Sequence, residues 1–188
     1  AVYSSTRFYD KAEAFYLKAL EIESHTFEAE HPSVGVTCNN LGLLYLNTGN
    51  LPKAEEYFTR ALEIQEKGAD LKSRMLAITY GNLGLLYDHK GDYRNSEYYY
   101  AKCLAIQEEV LDPKHSELAN TYNNIGKLYL GTGNFAKCEM YLLKGLAIVE
   151  EVQIPEDPLR INIYNSLGIL YSRLGDSTRA NLYLSRVH

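Results

Sequence analysis

Asn39-Asn40-Leu41-Gly42-Leu43-Leu44-Tyr45 returns as Gly81-Asn82-Leu83-Gly84-Leu85-Leu86-Tyr87 and again as Asn123-Asn124-Ile125-Gly126-Lys127-Leu128-Tyr129. It returns a last time as Asn165-Ser166-Leu167-Gly168-Ile169-Leu170-Tyr171. The step is 42 positions each time, as Tyr45, Tyr87, Tyr129 and Tyr171 show. Other columns keep it. Gly49, Gly91, Gly133 and Gly175 align, as do Phe15, Tyr57, Tyr99, Tyr141 and Tyr183, and as do Leu20, Leu62, Leu104 and Leu146. A register held over so many columns marks an array of structural repeats.

Each repeat reads as two helices. Tyr80, Leu83, Gly84 and Tyr87 recur at helical spacing on the first, and Ala54, Tyr57, Phe58, Ala61 and Leu62 on the second. Thr48-Gly49-Asn50, Lys90-Gly91-Asp92, Thr132-Gly133-Asn134 and Leu174-Gly175-Asp176 lie between them. Gly can take the left-handed conformation that ends a helix, and the Asn or Asp after it can cap the next. So short a link makes the two helices antiparallel. Pro32, Pro113, Pro155 and Pro158 suit helix starts or the turns before them. A glycine in mid-helix costs about 1 kcal/mol relative to alanine. The column Gly42, Gly84, Gly126 and Gly168 therefore calls for a neighbouring helix pressing close, expected at Ala54, Ser96, Cys138 and Ala180. The expected organisation is a single array over 1–188. It has a partial repeat at 1–33, full repeats at 34–75, 76–117 and 118–159, and a partial repeat at 160–188. Tyr3 aligns with Tyr45, which puts residue 1 inside a first helix, and the absence of an initiator Met suggests a segment of a longer chain.

These residues resemble the tetratricopeptide repeat. Its pattern is carried here by Tyr122, Ile125-Gly126, Tyr129, Gly133, Cys138, Tyr141 and Gly145. The common repeat has about 34 residues. The longer unit, with His31-Pro32-Ser33-Val34 ahead of Asn39-Asn40-Leu41, looks like the kinesin-light-chain type. The resemblance implies an all-α, right-handed α-solenoid of antiparallel helix pairs, with first helices lining a concave groove. It also implies that the Asn of each first helix holds the backbone of a bound peptide, a role that falls on Asn40, Asn82 and Asn124. Ser166 departs from that pattern in the fourth repeat.

Composition narrows the chemistry. The net charge is −5 and the pI about 5.6, which argues against a general binder of nucleic acid or anionic membrane, since such a binder needs a basic face. No apolar run approaches the roughly 18 residues of a membrane span. Three Cys among 188 residues make no disulfide framework and point to a reducing, cytoplasmic setting. Cys38, Cys103 and Cys138 fall in core columns. His25, His31, His89 and His115 have no metal-like spacing, so neither metal nor cofactor is expected. Glu55, Glu56, Glu63, Glu108 and Glu109 read as solvated faces of second helices. The 17 Tyr are mostly core, with Tyr98 half-exposed. Nothing resembles a nucleophile motif or phosphate loop, and no enzyme activity is expected.

The Asn columns are what remains. Asn is a mediocre helix former, so Asn39, Asn123 and Asn165 in one column and Asn40, Asn82 and Asn124 in the next need a reason. An amide can bond the neighbouring repeat, or it can bond an extended peptide backbone without reading its side chains. The expected groove contacts are these six Asn with Leu43, Leu85, His89, Lys127 and Arg173. Its other lining is mixed apolar and amide: Val36, Ile78, Asn120, Asn162 and Ile169. The expected function is protein–protein interaction, a scaffold or adaptor capturing a peptide or helix with apolar anchors. Two rival readings stand beside it. One is self-association through uncapped ends bearing Tyr3, Phe8, Tyr9, Tyr183 and Leu184. The other is a sensor arm of a larger signalling protein.

Overall fold

The computed structural model describes residues 2–26, 31–68, 73–152 and 157–187, with the side chains of 2–7 and of Val152 outside that description. Among the described residues there are nine helices and no strand. They form two compact units, residues 1–92 and 93–188. Unit 1 holds α1 (Val2–Thr26), α2 (Pro32–Asn47), α3 (Leu51–Lys67) and α4 (Arg74–His89). Unit 2 holds α5 (Tyr93–Val110), α6 (Ser116–Thr132), α7 (Phe135–Val152), α8 (Pro158–Arg173) and α9 (Ser177–Leu184). In unit 1, α2 packs on α1, α3 and α4; in unit 2, α6 packs on α5, α7 and α8, and α8 on α7 and α9.

The turns form as the residues dictate. Gly49, Gly91, Gly133 and Gly175 have φ of 79°, 73°, 78° and 75°. That left-handed conformation lets the N–H of Asn50 reach back to the carbonyl of Tyr45 at 2.8 Å, and Asp176 to Tyr171 at 2.9 Å. The side chains of Asn50, Asn134 and Asp176 then accept the N–H of Lys53, Lys137 and Arg179. First helices have a cap column of their own. His31, Ser73, His115 and Asp157 stand 42 apart, and each side chain accepts a backbone N–H in the first turn. His31 and His115 are thus helix caps, with Nδ1 as the acceptor. Pro32 and Pro158 open α2 and α8. Pro155 lies outside the described residues.

One expectation fails at the start of the chain. Residue 1 was expected inside a first helix, with a second helix after it, yet α1 runs unbroken from Val2 to Thr26. Position 7, which holds Gly in the later repeats, is Arg7. A left-handed conformation costs any residue with a Cβ about 1–2 kcal/mol, and the helix continues.

The mid-helix glycines are explained by close packing, but not against the residues expected. A Cβ on Gly42 would lie 2.5 Å from the Phe58 ring; on Gly126 and Gly168 it would lie 2.6 Å from Leu142 and Leu184. The neighbour is therefore the bulky residue four positions beyond Ala54, Cys138 and Ala180. In the second helices the close approach is made at Gly145, where a Cβ would come 3.1 Å from the Ala119 carbonyl. Cys38, Cys103 and Cys138 are buried in the core as expected.

Candidate functional site

In each unit the exposed face of the first helices carries the candidate residues. On α2 the stripe is Val36, Asn40, Leu43 and Asn47, and on α4 it is Ile78, Asn82, Leu85 and His89. Val36 and Leu43 are each 36% exposed. Leu85, Asn40 and Asn82 are half-buried, and Asn47 and His89 are exposed. This surface is apolar with amides between the apolar residues. In unit 2 the same columns read Asn120, Asn124 and Lys127 on α6 and Asn162, Ser166, Ile169 and Arg173 on α8. Asn120, Lys127, Asn162 and Arg173 are exposed there, so that face is polar and basic around Ile169.

Two of the expected contacts lie beneath these faces. Asn39 and Asn123 are each 3% exposed. Asn39 sits in the seam between α2 and α4, where its Oδ1 accepts the Thr79 hydroxyl at 3.2 Å and the Asn82 amide at 3.0 Å. Its expected role as a direct groove contact is corrected to that of a buried interhelical acceptor. Asn123 takes the equivalent place under α8, but Ile163 and Ser166 stand where Thr79 and Asn82 would be. Ile163 has no donor, Ser166 donates to the Asn162 carbonyl at 2.9 Å, and the Asn123 Oδ1 is left without a partner. Asn165, in the same column, is half-buried. Asn124 donates to Asn120 one turn earlier at 3.2 Å. Arg173 reaches from α8 to the Leu130 carbonyl near the end of α6 at 2.8 Å, which ties part of its guanidinium to a helix C-terminus.

Sequence reasoning missed a second polar system. The Tyr hydroxyls that close the first helices donate to a Glu on the preceding second helix: Tyr45 to Glu13, Tyr87 to Glu55 at 2.7 Å, Tyr129 to Glu97 and Tyr171 to Glu139. A cation completes each group: Lys53, Lys90, Lys137 and Arg179. Lys90 comes from the turn because Asn95 stands in the column of Lys53, Lys137 and Arg179. One repeat-half away, Tyr80, Tyr122 and Tyr164 donate to Glu66, Glu108 and Glu150. Where the Tyr of that column is Cys38, the Glu is Ser24. Glu55 and Glu108 were expected on solvated faces; Glu108 is exposed and Glu55 half-buried, and both are also hydrogen-bonded partners. The signal was present, since the Tyr and Glu columns 32 residues apart hold in all four repeats and those 14 apart change together at Cys38 and Ser24.

Electrostatics follow from these pairings. The Lys90 ammonium and then the Tyr87 hydroxyl hold Glu55 below the usual carboxylate range. The Tyr129 hydroxyl and then Lys137 do the same for Glu97. Burial, then the adjacent carboxylate, pushes Tyr122 and Tyr171 up to about 12. Burial likewise lifts the Cys138 thiol to about 11, away from nucleophilic reactivity. Among the described residues no group of three His, Cys, Asp or Glu could hold a metal ion. No helix there is long and apolar enough to cross a membrane. Tyr98 is 52% exposed, with Lys102 over its ring at 5.2 Å.

A tetratricopeptide-repeat family model matches residues 1–67, 75–137 and 117–188. No curated relative matches the sequence significantly. Among solved structures, BtubC (BKLC) from P. vanneervenii superposes with a TM-score of 0.86 at 24% identity, covering 98% of this chain and 73% of that one. The nearly identical TPR-like repeats of a kinesin light chain candidate from Podosopora anserina give 0.80 at 20% identity, covering 98% and 87%. MamA gives 0.64 at 20% identity, covering 98% and 89%. Likeness at these identities shows the fold, an α-solenoid of helix pairs.

Proposed function

Because the chain belongs to the tetratricopeptide repeat family, whose members are generally non-enzymatic protein–protein interaction scaffolds, we propose that it is an adaptor whose first-helix faces capture a partner's peptide or helix. The observation that carries this reading is the set of apolar and amide side chains left at the surface of α2 and α4. Val36 and Leu43 remain 36% exposed beside Asn40 on α2, whose other apolar residues are buried, and Ile78 and Leu85 are half-buried beside Asn82 on α4. Apolar anchors supply affinity. Amides with donors and acceptors to spare accept a backbone in any sequence. Asn39 acts here as a positioning residue, since its bond holds the Asn82 amide in one orientation before a ligand arrives, and pre-organisation lowers the cost of binding. In unit 2 the basic side chains Lys127 and Arg173 favour a ligand with some acidic character. We place the protein in the cytoplasm on the strength of its three buried cysteines, which are reduced thiols.

The test is affinity capture from extract with the chain and an Asn40→Ala/Leu43→Ala/Asn124→Ala variant of matched melting temperature, followed by titration of each captured partner's peptide. A peptide bound by the parent and lost by the variant supports the reading. Equal binding moves the site elsewhere. Self-association is a second reading, favoured by Phe8 and Phe15 on α1, which are 71% and 74% exposed. Tyr3, expected in the same patch, has its side chain outside the described residues. Light scattering over a concentration series decides it.

A further inference from the structure

A crevice of about 270 Å³ opens in unit 2 between the second helices α5 and α7, with α6 as its floor. It shares no residue with the first-helix faces. Leu104, Ile125 and the Tyr141 ring make its apolar wall, and Ala101 and Ala105 its open side. The alanine column explains the opening. Position 101 is equivalent to Leu17, Thr59 and Leu143, so only here does the repeat place a methyl where the one after it has a leucine. Leu143 is itself 39% exposed, so what Ala101 leaves open is a stretch of surface that a leucine would partly cover. The rim is acidic at one end. Glu108 accepts the Tyr122 hydroxyl at 3.0 Å, whereas its counterpart Glu150 has Arg186 at 3.4 Å as well as Tyr164. Lys144, which stands in Arg186's column, lies over the Tyr122 ring at 5.5 Å and forms no ion pair with Glu108. Glu97 at the other end is already matched by Lys137.

We propose that this crevice is a second docking site, taking a leucine-type side chain of a protein partner with a basic residue beside it. The aliphatic chain lies against Leu104, Ile125 and the Tyr141 ring and covers the surface that Ala101 leaves open. The basic neighbour supplies the cation that Arg186 gives Glu150. Ala101 and Glu108 are then the specificity-determining positions, one by size and one by charge.

The probe is the capped dipeptide acetyl-Leu-Arg-amide, titrated into the isotope-labelled chain and followed by methyl NMR. Saturable shifts are expected at Ile125, Leu104 and Ala101. Ala101→Leu fills the crevice from within at an exposed position and should abolish them with the fold intact. Glu108→Gln should weaken binding several-fold and remove the preference over acetyl-Leu-Glu-amide. Absence of shifts, or identical shifts in the Ala101→Leu chain, overturns the proposal. So does sedimentation showing that the parent self-associates and the Ala101→Leu chain does not, for a second copy would then be the occupant.

Discussion

The Asn82 amide donates to the Oδ1 of Asn39 across 3.0 Å, joining two helices whose residues are more than forty positions apart in sequence. Thr79 donates to the same oxygen, so one buried carbonyl ties α4 to α2 twice. A buried polar group that loses its partners costs about 1–3 kcal/mol. Asn39→Leu should destabilise unit 1 by that order, because the Asn82 amide loses this acceptor and the Thr79 hydroxyl keeps only the Met75 carbonyl within its own helix. Unit 2 offers the converse. Ser166→Asn restores a donor above the Asn123 Oδ1 and should stabilise the chain by about 1 kcal/mol. Urea unfolding of both variants measures this, and a Ser166→Asn midpoint at or below the parent's would refute the assignment.

The glycine column separates by what each glycine meets. Gly42→Ala pushes a methyl against Phe58, which is 0% exposed, and Gly126→Ala against Leu142, also 0% exposed. Neither neighbour can move, and overpacking of this kind costs about 1–3 kcal/mol. Gly168→Ala meets the side-chain end of Leu184, which is 38% exposed and free to swing aside. There the helix-propensity gain of up to about 1 kcal/mol remains. Thermal melts should place Gly42→Ala and Gly126→Ala below the parent and Gly168→Ala level with it or above.

How much of this was readable beforehand differs by kind of interaction. Local rules sufficed for the turn at Gly49, the cap at Asn50 and the helix pairs, because each depends on a few adjacent residues. Arg7 shows the limit, since one substitution in the glycine column merges two expected helices. The site was less legible. Asn39 and Asn40 are adjacent and chemically identical, but 100° apart around the helix, so one is sealed in the seam and the other faces out. The Tyr–Glu–cation groups escaped notice because a Tyr column looks like core and a Glu column looks like solvent until the two are paired at a fixed offset.

Those groups make stability fall in alkali. Tyr122 and Tyr171 titrate near 12 in the folded chain against an ordinary value near 10. A raised folded value means that the stabilisation is whole below about pH 10 and is lost as pH rises toward 12, because the unfolded chain gives up those protons first. Guanidinium midpoints should decline over that window, and Tyr122→Phe/Tyr171→Phe should flatten the decline. Glu55 and Glu97 act at the other end. Their values are lowered, so what they contribute above the usual carboxylate value is lost as pH falls through the lowered one.

The thiols supply a test of the core that needs no substitution. Cys38 and Cys138 are 0% exposed and Cys103 1%, and burial raises the Cys38 and Cys138 thiols above their ordinary range. A buried, protonated thiol is a poor nucleophile, and the thiolate is the reactive form. Native chain should therefore react with a disulfide reagent at pH 8 only through opening of the repeat that holds each cysteine. Adding denaturant should bring all three to full reactivity together with the loss of helical circular dichroism. Cys138 lies where α7 packs on α6, so its protection should track the stability changes caused by Gly126→Ala, while Cys38 in unit 1 should track Gly42→Ala. Rapid labelling of Cys138 in the folded parent would mean that α7 does not hold the packing described.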